Sequence, residues 1–101
     1  MKTSELTGAA LDWAVIKSNG NYAPFPDGCD AYSSDWAHGG PIIEREYIQL
    51  TIDLGWIATR REGADVCEAH GPTPLIAAMR CYVASVLGDE VEIPATLLGT
   101  V

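Results

Sequence analysis

The feature that most constrains the fold is an apolar segment with strong helix signals at both ends. Thr73 is a good N-cap residue, and Pro74 follows at the first helical position, where a missing N–H costs nothing. Gly88 lies where a helix commonly ends in the left-handed conformation. The apolar residues between these signals recur at helical spacing: Leu75, Met79, Tyr82, Val83 and Val86. The pattern predicts a central core helix over residues 74–87.

A second helix is predicted near the start of the chain, over about residues 7–17. Thr7 can cap this helix, and Leu11 and Val15 are four residues apart, so they share one apolar face. Gly20 follows in a polar segment and is suited to the left-handed conformation that ends a helix.

Residues 42–70 are predicted to contain strands. The clearest local pattern is a hairpin of Gly55–Arg61 with Ala64–Ala69, joined by a turn that contains Gly63. Residues 90–93 alternate and are expected to add a short edge strand, and residues 95–101 are expected to form a tail.

Together these elements predict an α+β fold, with a small antiparallel sheet packed on the C-terminal helix and an N-terminal helix beside it. A chain of 101 residues fits one domain over residues 1–101 with a small core. Because 48% of the residues are hydrophobic, we also expect a homo-oligomer, which would bury more apolar surface.

The charge balance excludes several classes of partner. Fourteen acidic residues stand against six basic ones, for a net charge of −8. Such a surface repels nucleic-acid phosphates and anionic lipids, so no direct nucleic-acid or membrane binding is expected. The carboxylates are scattered, and only Asp89, Glu90 and Glu92 are closely spaced, which disfavours a mimic of DNA.

Recognised signals for export and for common chemistry are missing from the sequence. It has no apolar run of about 18 residues and no signal-peptide pattern at its start, so a cytoplasmic location is expected. Its three cysteines have irregular spacing, which predicts free thiols and no zinc site. Cys67 and His70 are three apart, which puts them on opposite faces of a strand and disfavours a nucleophile pair. We therefore expect no catalytic residue, no metal and no cofactor.

Residues 19–41 are rich in glycine and proline but also contain four large aromatic residues, Tyr22, Phe25, Tyr32 and Trp36. Exposing so many aromatic side chains is costly, which predicts an ordered loop that folds over the core or lines a cleft.

The second half of this loop is the first candidate site. Hydroxyl and carboxylate groups beside Trp36 can hydrogen-bond the polar edge of a flat ring that stacks on the indole. Two adjacent glycines let backbone N–H groups approach an anion. The alternative is a capped turn with Trp36 in the core. The candidate residues are Tyr32, Ser33, Ser34, Asp35, Trp36, His38, Gly39 and Gly40.

Three residues outside the loop complete the candidate set. Thr73 lies at a predicted helix start, where anions are attracted, although plain helix capping explains it equally. Arg45 and Arg80 are among the few cations that could bind an anionic ligand. The alternative for both arginines is a surface ion pair. Glu44 and Glu46 would share a face if their segment is extended. A solvated strand edge explains them better than a functional carboxylate pair.

Three segments of the sequence, taken together, resemble the NinX-like family of small phage and prophage proteins. They are Leu-Thr-Gly-Ala-Ala-Leu-Asp-Trp-Ala-Val at 6–15, Ser-Asp-Trp-Ala-His-Gly-Gly-Pro-Ile-Ile-Glu at 34–44, and Gly-Pro-Thr-Pro-Leu-Ile-Ala-Ala-Met-Arg at 71–80 followed by Gly-Asp-Glu-Val-Glu-Ile-Pro at 88–94. The resemblance implies a phage accessory protein made inside a bacterium, and it implies no enzymatic activity. The family pattern often has proline where this chain has Tyr32.

Three functions stay open at this point. The first is a non-enzymatic module that binds a nucleotide-like small molecule and sequesters a nucleotide-derived immune signal of the host. The second is an interaction factor that inhibits or recruits a host protein through its acidic surface. The third is a small nucleotide-modifying hydrolase that uses Asp35, His38 or His70.

Overall fold

A computed structural model describes residues 2–20 and 32–93. In chain order its elements are a 3-10 helix at Thr3–Glu5, α1 at Gly8–Ser18, α2 at Trp36–Arg45, β1 at Gln49–Ile52, β2 at Trp56–Glu62, β3 at Asp65–Gly71 and α3 at Pro74–Leu87. The predicted α+β architecture is confirmed. No helix in these two ranges is long and apolar enough to cross a membrane.

The three strands form an antiparallel sheet in the order β1-β2-β3. β2 and β3 pair from Trp56 with Gly71 to Glu62 with Asp65, which confirms the predicted hairpin. Gly63 has φ 62 in the connecting turn, a backbone conformation that glycine adopts without steric cost.

Helix α3 packs across one face of the sheet and also contacts α1 and α2. Ala58 and Ala69 oppose each other in the sheet and are buried, and Ala77 is buried on the helix. A Cβ added at Gly71 would lie 2.7 Å from the Ala77 nitrogen, so this close approach requires glycine. Small residues on both surfaces therefore let α3 lie close to β3.

The predicted ends of α3 are confirmed. The Thr73 hydroxyl accepts a hydrogen bond from the Ile76 N–H at 3.1 Å, and Gly88 ends the helix with φ 92. The placement of Val86 in the core is wrong. Its side chain is 47% exposed, because the buried residues of the helix end at Val83.

Helix α1 is confirmed, and Leu11 and Val15 on its inner face are buried. The capping role predicted for Thr7 is wrong, because its side chain makes no capping hydrogen bond. Gly8 begins the helix with φ 54, and the Leu11 N–H donates to the Thr7 backbone carbonyl at 3.3 Å, so Thr7 contributes its carbonyl and not its hydroxyl to the helix start.

The largest error concerns residues 36–45, which were expected to be the end of a loop and the start of a strand. They form α2, because the Asp35 carboxylate accepts the Ala37 N–H at 2.9 Å and Ile42 is buried. Tertiary packing overrides the low helix propensity of the Gly-Gly-Pro sequence. The extended segment that would align Glu44 and Glu46 is therefore absent. Tyr22 and Phe25, which were predicted to belong to an ordered loop, lie outside the described residues.

Residues 90–93 do not form the predicted edge strand. They make one isolated bridge, between Glu90 and Lys2, and the Thr3 N–H donates to the Asp89 carbonyl at 2.8 Å. The ladder cannot continue because the partner segment turns into the 3-10 helix at Thr3. The predicted tail at 95–101 lies outside the described residues.

Candidate functional site

The structure separates the predicted site residues into groups that do not meet. Tyr32 and Ser33 are buried, and the Ser33 N–H donates to the Asp12 carboxylate at 2.8 Å. A Cβ added at Gly39 would lie 2.5 Å from the Tyr32 carbonyl oxygen and 2.7 Å from a Leu75 methyl. These residues therefore attach the start of α2 to the core.

A second group lies on the outer face of α2. Trp36, Gly40 and Arg45 line a shallow groove there. Trp36 is 52% exposed, so the alternative that placed its ring in the core is wrong, whereas the capped turn at Asp35 is confirmed.

Ser34 is exposed at the start of α2, and His38 is half-buried. The His38 ring lies 6.1 Å from the ring of the buried Tyr32 in an edge-on arrangement, so His38 faces Tyr32.

The cation of the α2 groove is already engaged. Arg45 donates to the Glu46 carboxylate at 2.8 Å, to the Tyr82 hydroxyl at 3.1 Å and to the Asn19 amide oxygen at 3.1 Å. The hydrogen bond to Glu46 raises the pKa of Arg45. Arg60 donates to the same carboxylate at 2.8 Å. The ion-pair alternative is thus confirmed for Arg45, and the groove offers an incoming anion little free positive charge.

A deeper cleft of about 700 Å³ lies on another side of the molecule. Four parts of the chain form its walls: residues 2–4, the turn between β1 and β2, the end of β3 with the segment after it, and α3 with residues 89–90. Because these parts are distant in sequence, the cleft is a product of the tertiary fold.

The turn between β1 and β2 supplies the apolar wall. Leu54 has φ 55, a conformation that is unusual for a bulky residue, and its side chain is fully exposed at 105%. The Asp53 N–H donates to the Gly55 carbonyl at 2.8 Å and closes the turn. Trp56 follows at the start of β2 and is half-buried. The turn therefore presents a leucine and an indole to the cleft.

Arg80 supplies the positive charge of the cleft. Its Nε donates to the Leu6 carbonyl at 2.9 Å, and its Nη1 donates to the His70 carbonyl at 2.9 Å. Burial lowers the pKa of the guanidinium. Within residues 2–20 and 32–93 no carboxylate pairs with Arg80. The alternative that Arg80 forms a surface ion pair is therefore wrong. Its remaining N–H groups are available to a ligand.

The rim of the cleft carries both signs of charge. Lys2 lies on one side, with Asp89 and Glu90 nearby, and Glu68 and His70 lie on β3. The His70 ring contacts the Glu68 carboxylate at 3.1 Å in an exposed pair. These groups can accept and donate hydrogen bonds around a bound molecule.

Arg80 from the candidate ligand-binding set lines this cleft, and so does His70, which was considered only for the hydrolase. Thr73 lies outside the cleft and caps α3, which confirms the alternative of plain helix capping. The sequence reasoning missed Leu54, Trp56 and Lys2. A leucine and a tryptophan on either side of Gly55 were the available signal for the apolar wall.

The thiols of Cys67 and Cys81 lie between β3 and α3, and neither residue lines the cleft. The Cys67 sulfur contacts the Cys81 carbonyl at 3.7 Å, and the Cys81 sulfur contacts the Cys67 carbonyl at 3.4 Å. Burial raises the pKa of Cys81 to about 12. His70 is exposed on the opposite face of β3, which confirms that Cys67 and His70 do not form a nucleophile pair. In the described part of the chain, no group of three His, Cys, Asp or Glu residues could hold a metal ion.

Comparison with known proteins places the chain in a family. No curated protein sequence matches it. The sequence model of the family described as Bacteriophage P22, NinX matches residues 2–86, which include the sheet and all but the last residue of α3. Because this match spans most of the chain, the protein belongs to the family described as Bacteriophage P22, NinX.

Proposed function

We propose that this protein is a non-enzymatic phage accessory protein whose cleft binds a small planar anion of the nucleotide class. Its role in the bacterial cytoplasm is to sequester a nucleotide-derived signal of host immunity. The observation that carries the proposal is the half-buried Arg80, which has no carboxylate partner in the described ranges and lines the same cleft as Trp56.

The dimensions of the cleft suit a ligand of this size. Its volume of about 700 Å³ falls within the range of roughly 300–1,000 Å³ that is usual for small-molecule sites. One wall is apolar and aromatic, and the other carries a guanidinium, as recognition of a flat ring joined to an anionic group requires.

The overall charge strengthens the argument from Arg80. A net charge of −8 repels anions from most of the surface, so an anionic ligand needs a local cation that is not already neutralised. Arg80 meets that condition, with Lys2 on the rim. The carboxylates of Glu68 and Glu90 can accept hydrogen bonds from the amino or hydroxyl groups of a nucleoside.

The first test is to purify the protein from bacterial cells, denature it and analyse the released small molecules by mass spectrometry. A thermal-shift panel of cyclic dinucleotides, ADP-ribose derivatives and common nucleotides would use the same protein. Ligand at about a thousandfold above its Kd stabilises the fold by about 4 kcal/mol. A released nucleotide or a clear shift supports the proposal.

Leu54→Gly gives a sharp control for location. The leucine side chain is fully exposed, and glycine tolerates φ 55, so the change removes part of the cleft wall without removing core packing. We expect about tenfold weaker binding from the lost apolar contact. Trp36→Ala in the α2 groove is the matched variant and should bind as the wild type does. The opposite pattern would move the site to α2.

The second candidate function is the binding of a host protein through the acidic surface, and the excess of acidic residues favours it. It predicts no released ligand and no thermal shift, together with capture of a host protein that is lost when surface carboxylates are reversed in charge.

A further inference from the structure

The two edges of the sheet differ in their protection. β1 forms one edge, and among the described residues it pairs only with β2, so its outward-facing backbone groups have no partner strand. Soluble proteins commonly guard such an edge with lysine, proline or a bulge. β1 is short, at four residues, but its sequence Gln-Leu-Thr-Ile contains no lysine or proline. β3, at the other edge, carries the charged residues Asp65 and Glu68.

The region around β1 is also uncharged. Residues 47–52 contain no Asp, Glu, Lys or Arg, although the chain has a net charge of −8. In an antiparallel pair of two β1 strands, residues near the two-fold axis lie close to their own copies, so a charged residue there would face a like charge. The preceding Glu46 is neutralised by Arg45 and Arg60. The residues of β1 therefore add no charge repulsion between two acidic copies.

Large apolar side chains are exposed at both ends of β1. Tyr47 is 86% exposed at its start, and Ile52 is 65% exposed at its end. Antiparallel pairing of β1 with a second β1 brings the start of one strand next to the end of the other. Ile52 of each copy would then lie near the start of the other β1, where its side chain would lose contact with water.

We infer that two copies of this chain associate through β1, which joins two three-stranded sheets into one continuous antiparallel sheet. A second copy is the favoured occupant because the exposed backbone edge is self-complementary about a two-fold axis, and the side chains along it are neutral. The inference does not depend on the ligand, since the edge forms without one.

The test is the mass of the full chain in solution, measured by light scattering without ligand. We expect twice the chain mass of 10.8 kDa. Thr51→Lys places like charges beside the two-fold axis and should yield the single-chain mass. Val66→Lys is the matched control, because it adds the same charge at an exposed position on the opposite edge strand, and it should keep the double mass.

Hydrogen exchange provides a second measurement if Thr51→Lys fails to fold. Diluting the wild-type protein should raise deuterium uptake in residues 49–52 and leave uptake in residues 65–71 unchanged. A wild-type chain of 10.8 kDa at every concentration overturns the inference. Loss of the dimer in Val66→Lys with retention in Thr51→Lys, or equal uptake changes at both edges, also overturns it.

Discussion

The α2 groove and the cleft beside α3 each combine a tryptophan with an arginine, yet the two arginines are held differently. Arg45 in the groove donates to a carboxylate, a hydroxyl and an amide oxygen. Arg80 in the cleft donates only to backbone carbonyls among the described residues. A carbonyl orients a guanidinium without cancelling its charge, whereas a carboxylate cancels it. The partner of an arginine therefore decides whether it can attract a ligand.

The largest expected effect is on ligand affinity, which should depend on Arg80 and not on Arg45. Arg80→Lys should weaken binding of the ligand recovered from the purified protein by about tenfold to hundredfold, since a charged hydrogen bond contributes about 1.5–3 kcal/mol. Arg45→Lys should leave affinity unchanged. Calorimetric titration of both variants, at a temperature where each is folded, measures the difference. Equal losses would remove the distinction between the two regions.

The glycines of α2 test whether that helix serves packing or ligand approach. Gly39→Ala should destabilise the protein by about 1–3 kcal/mol, because the new Cβ would overlap the Tyr32 carbonyl. Gly40→Ala meets only the Trp36 ring at 3.7 Å and should stabilise the helix by up to about 1 kcal/mol. Chemical denaturation measures both free energies of unfolding. Equal effects would contradict the packing role of Gly39.

The carboxylate that neutralises Arg45 predicts a pH dependence of stability. Burial opposes ionisation of Glu46, but hydrogen bonds from Arg45 and Arg60 outweigh it and lower its pKa below 4.5. The stabilisation is therefore complete above pH 4.5 and is lost as the pH falls through the lowered value. Glu46→Gln should cost about 1–2 kcal/mol at neutral pH, and the difference should shrink in acid. The exposed Glu44→Gln is the control, and it should follow the wild type at every pH.

The smallest effect concerns the two thiols between β3 and α3. Burial raises the pKa of the Cys81 thiol to about 12, so almost no thiolate exists at pH 8. Iodoacetamide should modify Cys67 and leave Cys81 unmodified in the folded protein, as peptide mass mapping would show. Equal labelling of Cys67 and Cys81 would mean that solvent reaches the buried space between β3 and α3.

The elements that sequence reasoning predicted well carry local signals. Thr73, Pro74 and Gly88 bound α3 by the chemistry of helix ends, and Gly63 marks the hairpin turn. Helix α2 was missed because its stability comes from burial of Ile42 and from the close contact at Gly39. Neither contact is visible in a residue's near neighbours along the chain.

The site was harder to predict than the fold. Aromatic and polar residues clustered in the sequence at 32–40 suggested a site, but Tyr32 is buried in the turn before α2, whereas Trp36 begins the helix and is exposed. The cleft draws its walls from four separate stretches, and the ion pairing of each arginine depends on the tertiary fold. Arg80 was among the predicted residues because cations are few.

The attachment of the first residues to the last described ones has a consequence for synthesis in the cell. The Thr3 hydroxyl donates to the Gly88 carbonyl across a separation of 85 residues. At about 5–20 residues per second, a ribosome takes roughly 4–17 s to make that stretch. During this interval the nascent chain holds an unclosed N-terminal segment and lacks one wall of its cleft. The cleft is therefore closed only after Gly88 has been made, so the proposed site is complete later than the sheet, whose last strand ends at Gly71.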